Sequence, residues 1–227
     1  MARISIDLTL AFATPPSVGA AGAVHAFADK VITRNAIGEF IIPASQVKGK
    51  LRHACEQILR SQNVPICHPP RPDRMCPTID ADDLGRPLPL SQGGVRCIMC
   101  HIFGSPAYPS RLRFLDLVVD QSQLPTETFR QMVSLNRVRR TAQEHRLFLI
   151  ETAPHFDGLS FTKTDAITGY VTDRRHLHLL LVGLKALFSW GGAASRGMGW
   201  GSAEFAARLD GELVVINKQE VAQLWRS

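Results

Sequence analysis

A chain of 227 residues, 45% hydrophobic and 20% charged, is long enough to bury one sizeable core and reads as a single domain over 1–227 with an insertion. It contains no run of about 18 uninterrupted apolar residues, and its opening MARISIDLTLAFATPP lacks the basic region and small-residue cleavage site of a signal peptide, so the expectation is a cytoplasmic protein without a membrane partner. The formal net charge is +6, and 20 of the 26 basic residues are Arg, a bias that suits bidentate grip on phosphate, although GC-rich codons produce the same bias.

In chain order, ISIDLTLAF (4–12) alternates apolar and polar residues and predicts a strand, and KVITRNAIGEFII (30–42) predicts two short strands joined by a turn at Asn35–Gly38. In IIPASQVKGKLR (41–52) a helix should begin after Pro43, with Ser45 as its N-cap. Val47, Leu51, Ala54, Cys55, Ile58 and Leu59 recur at helical spacing as its apolar face, so Cys55 reads as packed core. Residues 62–110, rich in Pro, Gly and Cys, are too long and irregular for an ordinary connection and need something other than a core to hold them. RLRFLDLVVD (111–120) predicts a strand, VSLNRVRRTAQEHRLFLIET (133–152) a strand, a basic turn and a strand, and DRRHLHLLLVGLKALFSW (173–190) a second amphipathic helix. The glycine-rich GGAASRGMGWG (191–201) then leads into a last strand, SAEFAARL (202–209). Two helices on one face of an antiparallel sheet make a ferredoxin-like, RNA-recognition-motif-like α+β layer.

The first helix poses a physical puzzle, because the positive end of its dipole disfavours the cations Lys48 and Lys50. A capped helix start with Lys48 and Arg52 one turn apart is a site for an anion, and a phosphate there would resolve the misplaced charge. The competing reading of Ser45, Lys48, Lys50 and Arg52 is a solvated helix face. The glycine-rich loop follows neither the Walker nor the dinucleotide fingerprint; Gly192, Ser195 and Arg196 in it offer close backbone approach, a hydroxyl and a planar cation, yet a plain surface loop accounts for them equally. Arg137, Arg139 and Arg140 in NRVRR occupy a predicted hairpin tip, where they could grip phosphates or simply face water. Phe148, Phe156 and Phe161 lie in apolar runs and read as core rather than base-stacking rings.

DKVITRNAIGEFIIPASQVKGKLR, followed by CIMCHIFG and GGAASRGMGWGSAEF, resembles the RAMP superfamily, specifically the backbone subunit of type III or type III-derived CRISPR effector complexes. The resemblance runs from about residue 3 to 208 and departs from the usual pattern at Ala44 and Gln46. It implies a subunit that polymerises along guide RNA with further copies of itself and other effector subunits, and that cleaves complementary target RNA beside a nucleotide splayed by a β-hairpin thumb, here about 133–162. It also implies a cutting aspartate in the loop before the Ile-Pro motif. Asp29 is the only acidic residue between Asp7 and Glu39, so it is the candidate, acting on the ribose 2′-hydroxyl with Mg²⁺ or another divalent cation. Its bland alternative is a pairing with Lys30 or Arg34, or a turn cap.

Within the insertion, Cys67, Cys76, Cys97 and Cys100 form C-x8-C-x20-C-x2-C, flanked by His68 and His101. Four soft ligands in a loop-rich segment suit structural Zn²⁺; disulfides are the rival, and either His could replace a Cys. Two other functions remain open under the same resemblance. One is an inactive guide-RNA scaffold working with a separate nuclease. The other is a repeat-processing ribonuclease with a histidine base such as His25, against which the single domain and the cysteine-rich insertion argue.

Overall fold

The computed structural model describes residues 1–19, 28–69, 76, 97–106, 108–119, 128–153 and 158–216. Every second side chain of β1 (Ala2–Phe12), from Ile4 to Phe12, is buried, and this alternation fixes the strand as the centre of a mixed α+β fold. Along one sheet the order is β2 (Ile41–Ile42), β4 (Leu117–Val119), β7 (Ser160–Val171), β1, β8 (Gly201–Leu209) and β9 (Glu212–Val214), with β3 (Leu112–Phe114) also pairing with β7. All of these pairs are antiparallel. The helix α1 (Ala44–Ser61) follows β1 and β2, and α3 (Arg174–Ala186) joins β7 to the loop before β8. The buried residues of both helices share one hydrophobic core with the inward side chains of β1 and β7.

Three elements differ from the sequence expectation. SFTKTDAITGYV, which has no clean alternation, is the strand β7, paired with β1 from Ala2↔Val171 to Ala11↔Ser160. Its register slips between Ile6 and Leu8, where Asp165 adopts φ 53° and donates its amide to Asp7 Oδ1 at 2.9 Å. That hydrogen bond, against a smaller burial effect and with help from Arg208, holds the Asp7 carboxyl below its ordinary range. RLRFLDLVVD is not one strand but β3 and β4, broken at Leu115–Asp116 while both pieces remain on β7. Beyond the expected last strand, a turn at Asp210–Gly211 adds β9 to the edge.

The helices meet at Gly183. A Cβ there would lie 2.7 Å from Cys55 Sγ and 2.9 Å from Leu51 Cδ1, so only glycine lets α3 approach α1 this closely. Cys55 is buried as expected; its thiol lies 3.6 Å from the Leu179 carbonyl, and burial pushes its pKa up. Asp173 caps α3, its carboxylate accepting the Arg175 amide at 2.8 Å.

A separate two-stranded sheet of β5 (Thr128–Asn136) and β6 (Thr141–Thr152) projects as a hairpin. It spans Thr128–Thr152 rather than 133–162, because Ser160 onward is already in β7. Among the described residues no helix is long and apolar enough to cross a membrane.

Candidate nucleic-acid interface and metal centre

The puzzle at the start of α1 is resolved inside the chain. Its N-cap is Pro43, without a side-chain hydrogen bond, so Ser45 is not the cap; it lies exposed in the first turn. The amide of Ala44 donates to Asp116 Oδ1 at 2.7 Å, which places a carboxylate at the positive end of the helix from 72 residues away. Asp116 lies in the break between β3 and β4. The amides of Gln46 and Val47 both reach the Pro43 carbonyl. The backbone anion site expected at this helix start is therefore largely closed, and the cationic side chains are what it offers a ligand.

Those cations divide between two flanks. Lys48 and Arg52 line one depression of about 450 Å³ with Cys67, Cys100, Phe103 and Tyr108. Burial, and then the neighbouring Arg52 charge, lowers the Lys48 pKa, and its ammonium stands 5.9 Å from the Phe114 ring centroid. Arg52 is partly engaged, its Nε 2.9 Å from Glu56 Oε1 one turn on. Lys50 projects from the opposite flank, into a groove of about 550 Å³ between α1 and the end of α3, and burial alone lowers its pKa.

The four thiols converge. The sulfurs of Cys67, Cys76, Cys97 and Cys100 all lie within 4.8 Å of one another. Cys67 Sγ is 3.5 Å from Cys100 Sγ and 3.6 Å from Cys97 Sγ. A disulfide needs about 2.05 Å, whereas a tetrahedral Zn²⁺ with bonds of about 2.3 Å needs sulfurs roughly 3.8 Å apart. The donor set thus fits zinc, and all four cysteines are free. Burial raises the Cys97 thiol, but hydrogen bonds from the Cys67 and Cys100 backbones, then from their thiols, outweigh it and lower its pKa. Cys97 is also the N-cap of the short helix α2 (Ile98–Phe103), which packs against α1. Neither His68 nor His101 joins the cluster; His101 stacks on His176 with ring centroids 6.2 Å apart. Most of the expected insertion, 70–75 and 77–96, lies outside the described residues, as do Phe156 and His25.

The third assembly is the base of the hairpin. Asp29 is exposed, and its Oδ2 accepts the Leu149 amide at 2.8 Å while its own amide donates to the Leu149 carbonyl at 3.0 Å. Lys30 continues the contact as a parallel bridge to Ile150. Asp29 thus docks its loop on β6, and its carboxylate is held by this backbone rather than by Lys30 or Arg34. Arg34 pairs instead with Glu151 and stacks 4.1 Å over Phe40. Glu151, 2% exposed, also accepts the Ile32 amide at 2.9 Å, and it escaped the sequence reading because a single Glu in LFLIET carries no pattern. From the other side, Arg196 in the glycine-rich loop reaches Met132 Sδ at 3.3 Å and the Phe148 ring at 5.9 Å. Phe148 is half-buried there, whereas Phe161 is core.

Ser195 and Arg196 are exposed in a single 3-10 turn, Ala194–Arg196. The amide of Gly192 is already donated to the Ser17 carbonyl at 2.8 Å. Gly199, at φ 65°, is fixed by packing, since a Cβ would fall 1.9 Å from the Trp190 carbonyl oxygen. The loop is thus anchored at Gly191 and Gly199, while Gly192, Ser195, Arg196 and Gly197 stay exposed. At the hairpin tip, Asn136 Oδ1 accepts the amides of Val138 and Arg139, and Arg137, Arg139 and Arg140 are exposed around it.

The α+β layer thus carries cations on both flanks of α1, exposed arginines at the hairpin tip and a four-thiol centre. The model of the RAMP superfamily matches residues 9–202, and the chain belongs to that superfamily of CRISPR-associated proteins, which bind guide RNA and work in multi-subunit effector complexes. No curated protein matches it.

Proposed function

We propose that this protein is the backbone subunit of a type III or type III-derived CRISPR effector, polymerising along guide RNA and cutting complementary RNA at regular intervals. The observation that supports this most is the docking of the Asp29 loop on β6, which leaves an exposed carboxylate at the base of a hairpin with arginines at its tip. In this reading the β1–α1–β4–β7–α3–β8 layer, with β4, β7, β1 and β8 adjacent in that order, is a ferredoxin-like palm and the hairpin is the thumb. Ser45, Lys48, Lys50 and Arg52 with Arg137, Arg139, Arg140 and the glycine-rich Gly192–Arg196 turn line the RNA path; Lys and Arg provide the charge, and Gly192 contributes shape rather than its amide.

Asp29 positions or deprotonates the ribose 2′-hydroxyl beside the scissile phosphate. Mg²⁺ or another divalent cation would neutralise charge at that phosphate. Among the described residues no group of three ligating side chains gathers at Asp29, so RNA oxygens would make up most of such an ion's ligands. Zinc at the four thiols is structural and ties Cys67 and Cys76 to the start of α2, beside the core residues Ile66, Met99, Ile102 and Phe103.

The test is RNA-dependent assembly. Guide-length single-stranded RNA should drive open, head-to-tail association, visible by sedimentation. A complementary target should then be cut at a fixed interval and should resist where deoxyribose removes the attacking 2′-hydroxyl. A protein that stays monomeric at saturating RNA and moderate salt overturns the backbone reading. A second reading, the inactive scaffold, draws support from the same hydrogen bond, because a carboxylate that holds Leu149 already has a structural task; regular assembly without cuts would establish it.

A further inference from the structure

Along β1 the open face of the main sheet is polar. β1 presents Arg3, Ser5 and Asp7 there, Asp7 pairs with Arg208 at 2.8 Å, and Ser5 hydrogen-bonds Asp165. Tyr170, 54% exposed, stands opposite Arg3 on that face, whereas beside the glycine-rich loop two exposed aromatic rings are paired. Phe188 is 60% and Trp200 43% exposed, with ring centroids 5.3 Å apart and planes inclined by 34°.

Hydrogen bonds hold this pair in place. Ser189 and Trp200 form an antiparallel bridge, and the Trp200 amide donates to Thr14 Oγ1 at 2.9 Å. The indole Nε1–H donates to the Ala194 carbonyl at 2.9 Å. The one polar group of the indole is therefore satisfied inside the protein, and the exposed part of the ring offers only π surface. Phe188 also lines the 550 Å³ groove that holds Lys50 and His53. Burial alone shifts Lys50, no carboxylate pairs with it among the described residues, and the chain as a whole carries +6.

We infer that Phe188, Trp200 and Lys50 form a subsite for one nucleotide of single-stranded RNA, with the base stacked on the aromatic pair and a phosphate on the Lys50 ammonium. The inference rests on the RNA-binding reading of the family and specifies where a base is held. An immobilised aromatic pair beside an unpaired cation is the combination that binds single strands. Because the indole donor is engaged, the subsite grips any base by its face and does not read its edge.

The test is a fluorescence titration of the full chain with a guide-length oligouridylate and with an abasic ribose-phosphate oligomer of the same length. Of the three tryptophans, Trp190 is buried, and Trp225 lies outside the described residues, so Trp200→Phe identifies the reporting ring. Oligouridylate should quench a component of the emission that is missing in Trp200→Phe, and the abasic chain should bind without that quenching. Phe188→Leu, at an exposed position where the fold is retained, should weaken oligouridylate binding about tenfold. Lys50→Ala should lower the salt slope by about 0.7. Tight oligouridylate binding with no Trp200 quenching, and unchanged affinity in Phe188→Leu, would overturn the subsite while RNA binding itself stands. Unchanged affinity with altered self-association in Phe188→Leu would overturn it in favour of a contact between copies of the chain. Failure of the wild type to bind oligouridylate would overturn the RNA-binding reading and the subsite together.

Discussion

Replacing Asp29 by Asn and by Ala separates its docking role from its proposed chemistry. The exposed carboxylate accepts one amide, that of Leu149 at 2.8 Å, while the reciprocal bond from the Asp29 amide to the Leu149 carbonyl is main-chain and survives either change. A solvent-facing bond of this kind contributes about 1 kcal/mol net. Ala should therefore raise local opening about fivefold, read as faster hydrogen exchange at the Leu149 amide. Asn keeps an acceptor oxygen, at roughly half the strength of the charged one, and should change exchange by no more than about twofold. If the carboxylate acts on the 2′-hydroxyl, both variants should lose about 10²–10⁴-fold in cleavage by the assembled complex, with guide binding unchanged. Cleavage by Asp29→Asn at the wild-type rate would refute the chemical role. Unchanged Leu149 exchange in Asp29→Ala would refute the docking.

Metal analysis of the reduced protein should find about one zinc per chain, lost in Cys97→Ser/Cys100→Ser, and chelation should expose residues 62–110 to protease while the main sheet survives; a metal-free, protease-resistant protein would remove the site. Lys48→Ala/Arg52→Ala should reduce the salt slope of RNA binding by up to about 1.4, two phosphates at roughly 0.7 each, with the lower part of that range expected if Arg52 stays with Glu56. Gly183→Ala gains about 1 kcal/mol of helix propensity but meets Cys55 Sγ at 2.7 Å, an overpacking that costs about 1–3 kcal/mol. The expected net loss of about 1 kcal/mol lowers Tm by roughly 2–4 °C, and Cys55→Ala in the same chain should relieve part of the clash; additive effects in the thermal melts would contradict the close approach.

What the sequence determined by itself is what repeats locally. The alternation of ISIDLTLAF is enough to bury one face of β1, and the helical spacing of Val47, Leu51, Ala54, Cys55 and Leu59 is enough to lay α1 on the core. The thiol spacing likewise pointed to a metal centre, because four soft ligands suit tetrahedral Zn²⁺, whereas the burial of Ile66, Met99, Ile102 and Phe103 in the main core was not legible there. Even the division of Lys50 from Lys48 and Arg52 was implicit, since positions two apart on a helix face opposite ways. Tertiary structure alone decided the rest. SFTKTDAITGYV becomes an interior strand because β1, β3 and β4 supply its hydrogen-bond partners and Asp7 holds its bulge, compensating for polar residues that would suggest a loop. Asp116 closes the start of α1 from 72 residues away, and Glu151 ties Arg34 and Ile32 to the hairpin from more than a hundred. Such contacts leave no periodic trace in the chain: each depends on a single side chain meeting a backbone group or a charge that only folding brings within about 3 Å.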